Sequence, residues 1–225
     1  VTGLVGCGKG EAGKAADSAA MTAAAPNPKT VAIIRAADWM GSEWSEDALK
    51  VGLQEAGLEP GRDFVFSISS AQGDLAMLPS LIDAALDAYP KSAHAAHIRG
   101  HLFYELGERE AGLAFLRDWM KDYSRDGLMH VHNSWHLALW SMETGRMDDA
   151  WRIYDEALSP AVTWGPQINV ATDCAAFLAR AEMAGEPRQA ARWRELADYS
   201  TKWFGRPGLG FVDMHTVLAY AMAGD

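Results

Sequence analysis

Cysteine, positive charge and long apolar runs are all scarce in this chain. Only Cys7 and Cys174 occur among its 225 residues, in segments that read as different modules, so no disulfide framework is expected. Lys and Arg number 20 against 30 Asp and Glu, a net charge of −10, and no basic patch is present. Phosphate neutralisation needs clustered cations, so nucleic acid is excluded as a partner. No apolar run approaches the roughly 18 residues that cross a bilayer as a helix. A membrane can enter only through a lipid anchor. What is abundant is apolar material, 49% of the residues, enough to build the core of one large domain or two small ones.

The first residues offer one candidate for that anchor. Leu4-Val5-Gly6-Cys7 resembles the lipobox of bacterial lipoproteins, in which the cysteine becomes the acylated first residue. The stretch 8–29, rich in Gly, Ala, Ser, Lys and Pro, then reads as a flexible tether. Residues 1–29 are therefore expected to be a signal remnant and tether, with Cys7 as the lipidation site. A charged n-region and most of an apolar h-region are missing from this match. Gly6-Cys7-Gly8-Lys9-Gly10 lacks the GxxxxGK[ST] spacing of a phosphate loop and any preceding strand.

Residues 30–88 alternate in type. VAIIR at 31–35 is short, apolar and β-branched, a buried strand. Residues 43–56 carry Trp44, Ala48, Val51 and Leu53 at helical spacing and stop at Gly57, a good residue to end a helix. DFVFSIS at 63–69 is a second strand and 75–88 a second helix, which makes a parallel βαβα unit. VAIIR, VGLQEAGLEPGRDF and AQGDLAMLPSLIDAAL together resemble the start of the type I fold of ABC-transporter substrate-binding lipoproteins. That resemblance implies a ligand cleft lined by the loops at 37–44 and 70–74. It stops after about 60 residues, and two strands alone leave both sheet edges open.

From Tyr89 the pattern is helical throughout. Turn glycines recur in ELGERE, ETGRMD, MAGEPR and MAGD at Gly107, Gly145, Gly185 and Gly224, spacings of 38, 40 and 39. A fixed period in this range marks an array of helical hairpins. The predicted helices are 91–106 with 108–122, 128–144 with 147–158, 168–184 with 188–204, and a last one at 211–223. Gly112, Ala150 and Ala190 each lie five residues after a turn glycine, where a small residue lets the two helices of a hairpin approach closely. The expected fold is mainly α, a tetratricopeptide-like α-solenoid from 89 to 225 behind a small α/β fragment.

YPKSAHAAHIRGHLFYELGE, HVHNSWHLALWSMETGRMDDAWRIYDEAL, ATDCAAFLARAEMAG and FVDMHTVLAYAMAGD resemble, in order, blocks of the tetratricopeptide repeat protein 38 family. The resemblance covers residues 89–225 and implies an α-solenoid. It implies no particular activity. It favours a cytoplasmic location, whereas lipidation at Cys7 implies export. An open array whose last helix lacks its partner exposes an apolar face, and self-association is expected.

Candidate chemistry gathers on the first helix of each hairpin. Counted back from the turn glycine, His94 and His132 lie thirteen residues before theirs and Asp173 twelve. Asp213 lies eleven before, His97 ten, His136 and His215 nine, and His101 six. Equivalent places on stacked first helices lie on the order of 10 Å apart, so long side chains can meet. His97, His101, His132, His136, Asp173 and His215 are thus expected to line a concave face that takes a protein segment or small ligand, with no cofactor and no catalytic residue. A second reading is a metal-dependent enzyme, with zinc, iron or manganese held by His132, His136, His215 and Asp173. The HExxH metalloprotease motif is excluded, because Asn133 stands where the general-base Glu would be. A third reading is structural: the histidines donate to Asp173 and Asp213 across helix interfaces. The tryptophans at 119, 135, 140, 151, 164, 193 and 203 read as core packing, and Cys174 as a buried, inert thiol.

Overall fold

The computed structural model describes residues 2–8, 27–35, 40–72 and 74–224. Two units divide the chain, Val1–Leu102 and Phe103–Asp225. The described residues are mainly helical, with one small sheet.

The first unit is built on three strands in the order β1 (Thr2–Gly8), β2 (Lys29–Arg35), β3 (Phe64–Ser70). The predicted parallel pair is present: β2 and β3 run parallel, with Val31 opposite Phe66 and Ile33 opposite Ile68. Helix α1 (Met40–Glu55) connects them. Val31, Ile33 and Phe64 are buried, which explains why β-branched and aromatic residues hold this register. Arg35, at the end of β2, makes a bidentate pair with Glu46 of α1.

One strand was not expected from the sequence. Thr2–Gly8, read there as signal remnant and lipobox, pairs antiparallel with β2 through a bulge between Val5 and Cys7. Three glycines in seven residues give it little strand propensity of its own, so its pairing comes from β2. The open edge expected on β2 is thereby covered. The lipidation expected at Cys7 concerns a side chain outside the described set, and most of the expected tether, 9–26, also lies outside it.

Of the expected cleft loops, 36–39 and residue 73 lie outside the described residues, while 40–44 already belong to α1. The second predicted helix splits into a 3₁₀ turn (Leu75–Met77) and α2 (Leu78–Ala88), because Pro79 suits the first turn of a helix but not its interior. α2 lies on the sheet and buries Ile82 and Ala85. α3 (Ala93–Glu105) follows, with Ala95 packed against Ala85, and begins where Ser92 Oγ accepts from the Ala95 N–H at 3.2 Å.

The second unit contains α4 (Arg109–Met120), α5 (His130–Glu143), α6 (Met147–Ile153), α7 (Gln167–Met183), α8 (Ala190–Phe204) and α9 (Gly210–Ala223). α7 packs on both α5 and α9, α6 packs on α5, and α8 packs on α7 and α9. The turn glycines behave as their period predicts, with φ from 72° to 101° at Gly107, Gly145, Gly185 and Gly224. At Gly145 the N–H donates to Met142 O at 3.0 Å and the next N–H, of Arg146, to Ser141 O at 2.7 Å. This closure needs a left-handed residue, which glycine adopts without strain.

Gly112 and Ala150 are buried as their register requires. A Cβ on Gly112 would lie 2.7 Å from Cζ2 of the buried Trp140. Ala190 departs from the expectation and is exposed, because residues 186–189, including Pro187, delay the start of α8 by two positions. The predicted 147–158 helix is also interrupted: Tyr154–Leu158 forms a π-helical turn, in which the Ser159 N–H donates to Tyr154 O at 2.9 Å. The core gathers Tyr154, Leu158, Val170, Phe177, Leu178, Trp193 and Leu196. Phe177 stacks on Tyr154 with centroids 5.2 Å apart and meets the edge of Trp151 at 5.1 Å. The guanidinium of Arg192, paired with Asp155, covers Tyr154 at 4.9 Å and Trp151 at 4.8 Å.

Candidate functional site

α5 presents its chemistry on one face, because residues four apart stand one turn apart. His132 and His136 meet edge to face, with centroids 5.0 Å apart and planes at 81°. Trp135 packs against both rings, stacked on His132 at 5.3 Å and edge to face with His136 at 4.9 Å. Trp140 closes the row one turn further on, 6.1 Å from His136. His136 and Trp140 are buried and His132 is partly open.

α7 answers this face with Asp173. His132 Nδ1 donates to Asp173 Oδ2 at 2.9 Å. The carboxylate is buried, and burial raises its pKa above the usual value; the hydrogen bond and charge of His132, and the charge of His215 on α9, pull the other way. Asp173 of α7 thus bonds the ring of His132 on α5, and the charge of His215 on α9 acts on the same carboxylate. This bond holds the His132 proton on Nδ1, so Nε2 carries the lone pair of the ring.

The remaining predicted residues take different places. His215 directs Nδ1 to the carbonyl of Phe211 on its own helix, at 2.7 Å. Asp213, expected as a histidine partner, instead accepts from the Gly208 N–H at 3.1 Å and 3.3 Å, a connection ahead of α9. In the first unit, His97 and His101 of α3 direct Nε2 atoms at each other, 2.9 Å apart, with ring centroids at 4.5 Å and planes at 86°. Cys174 is buried as expected. Its Sγ–H donates to the carbonyl of Leu158 at 3.2 Å, and burial pushes the thiol pKa well up.

Of the tryptophans read as core, Trp140 and Trp193 are fully buried, whereas Trp164 and Trp203 are largely exposed. Trp164 is held at the surface by donating Nε1–H to Asp126 at 3.0 Å.

One residue of the α5 face escaped functional notice in the sequence. Asn133 is buried, and neither its Nδ2 nor its Oδ1 has a hydrogen-bond partner among the described residues. It served there only to exclude a protease motif. The signal that could have found it is its place on the inward side of the helix, among the buried Val131, Leu137 and Trp140. Compared with known proteins, the chain matches no family model and no solved structure.

Proposed function

We propose that this chain is a tetratricopeptide-like helical-repeat binding module whose ligand face is the side of α5, α7 and α9 that carries His132, His136, Asp173 and His215. The observation that carries the reading is the His132–Asp173 bond at 2.9 Å between two stacked first helices, with the charge of His215 on the third acting on the same carboxylate. A histidine whose ring is already oriented by a buried carboxylate is suited to receiving a ligand without rearranging the helices. The repeat register of the turn glycines supports extending the array in sequence to Tyr89. Resemblance to the tetratricopeptide repeat protein 38 family supports the same architecture.

The ligand is a protein segment or a small polar molecule that accepts or donates at imidazole. The test compares the wild type with a His132→Gln, His215→Gln double variant, both immobilised, in a pull-down against lysate of the source cells. Circular dichroism first establishes that the variant is folded. Partners retained by the wild type and lost from the variant are expected. Retention of every partner by the folded variant would count against this face.

A further inference from the structure

We infer that two histidine pairs, His97 with His101 on α3 and His132 with His136 on α5, are chelating half-sites for divalent ions of the zinc class. The inference deepens the binding-module reading, on which it rests for the α5 pair, by naming the ligand chemistry.

Each pair has the i,i+4 spacing that places two imidazoles on one helix face one turn apart. In the first pair the two Nε2 atoms are 2.9 Å apart with the rings nearly perpendicular. Two neutral imidazoles at that distance share one proton, donated by one ring to the lone pair of the other. A tetrahedral zinc ion with Zn–N bonds of about 2.0–2.1 Å separates two nitrogen ligands by about 3.3 Å. An ion thus takes the place of the shared proton, which moves through solvent to Nδ1 of the donating ring, with an opening of a few tenths of an ångström between the two Nε2 atoms.

In the second pair the candidate ligand atoms lie within 4.8 Å of each other. This pair has a feature of a built metal site. Asp173 accepts from His132 Nδ1, which fixes the tautomer that leaves Nε2 to the metal and makes that nitrogen a better donor. The ring planes are held by packing, His132 on Trp135 and His136 between Trp135 and Trp140. The donor set is imidazole. The nearby Cys174 thiol is occupied by the Leu158 carbonyl, and Asp173 serves His132. Imidazole suits zinc, nickel, copper and cobalt, whereas magnesium, calcium and manganese prefer oxygen.

The experiment uses the full chain without an affinity tag, stripped with a chelator and then equilibrated with zinc or cobalt(II). Zinc is expected to be retained through gel filtration, up to one ion for each histidine pair. Cobalt(II) bound through nitrogen is expected to show ligand-field bands in the visible. The His97→Gln, His101→Gln and the His132→Gln, His136→Gln double variants are each expected to lose at least tenfold in zinc affinity. Asp173→Asn, which touches no metal, is expected to weaken binding by about 10- to 100-fold while shifting the cobalt bands. Retention of less than about a tenth of an equivalent by the wild type overturns the inference. So does unchanged zinc affinity in both folded double variants. A wild type that binds no metal yet captures partners in a His132- and His215-dependent way sinks this inference and leaves the binding-module reading standing.

Discussion

His132 and Asp173 are 41 residues apart in sequence and 2.9 Å apart in space. Their bond ties α5 to α7 at a buried carboxylate, where water cannot take the place of a lost partner. Asp173→Leu removes the acceptor and leaves the His132 N–H without it, at an expected cost of about 1.5–3 kcal/mol. Asp173→Asn keeps a carbonyl acceptor and is expected to cost less. A cycle with His132→Phe, read by urea unfolding, isolates the pair. The double variant is expected to recover part of the loss. A coupling below about 0.5 kcal/mol would show that the two residues act independently.

Gly112 offers a test of the helix contact that the repeat register predicted. Glycine to alanine inside a helix ordinarily stabilises by about 0.5–1 kcal/mol. At Gly112 the new methyl would lie 2.7 Å from Trp140 Cζ2 and 2.9 Å from Phe103 Cβ. The Trp140 ring is buried and cannot swing aside. Overpacking of this kind costs about 1–3 kcal/mol, so Gly112→Ala is expected to lower the thermal midpoint despite its favourable propensity. An unchanged or raised midpoint would place Trp140 elsewhere.

The same register explains how much of the molecule was legible beforehand. Gly107, Gly145, Gly185 and Gly224 announce themselves because a left-handed turn admits few other residues, and they fixed the helices to within about two positions. The His132–Asp173 contact joins nearly equivalent places on α5 and α7, where long side chains can meet. Three features were not legible in this way. β1 is too glycine-rich to signal a strand, and its pairing depends on β2. The π turn at Tyr154–Leu158 arises from tertiary packing, where the carbonyl of Leu158 meets Cys174. Asp213 was misjudged because register alone cannot tell a carboxylate facing a neighbouring helix from one bonded to its own approach segment at Gly208.

His130, at the start of α5, supplies a pH dependence. Its ring is half-buried, and burial lowers its pKa below the ordinary 6.5, reinforced by the charge of Arg125 and opposed by Asp126. Below pH 6.5 the unfolded chain therefore binds a proton that the folded chain resists, and this group's contribution to stability is lost as pH falls through that window. Wild type is expected to lose more stability between pH 7.5 and 5.5 than His130→Gln, compared by urea midpoints. Removing the nearby cation with Arg125→Gln is expected to raise the His130 pKa in an NMR titration. A His130 titration at or above 6.5 in the wild type would contradict the burial.

Cys174 provides the most direct probe of the second unit's core. Its thiol is fully buried beneath the π turn, donates to the Leu158 carbonyl, and has its pKa pushed well up by the same burial. The thiolate is the reactive form, so both access and ionisation oppose modification. In a Cys7→Ser background, Cys174 is expected to resist a disulfide reagent such as DTNB at pH 8 and to react promptly once the chain is unfolded in guanidinium. At intermediate denaturant its labelling rate should track opening of this core, because the thiol is reached only when Leu158 and Tyr154 separate from α7. Native-state labelling at the rate of a small-molecule thiol would mean that α7 is not packed beneath the π turn, and the stack that aligns Asp173 with His132 would fall with it.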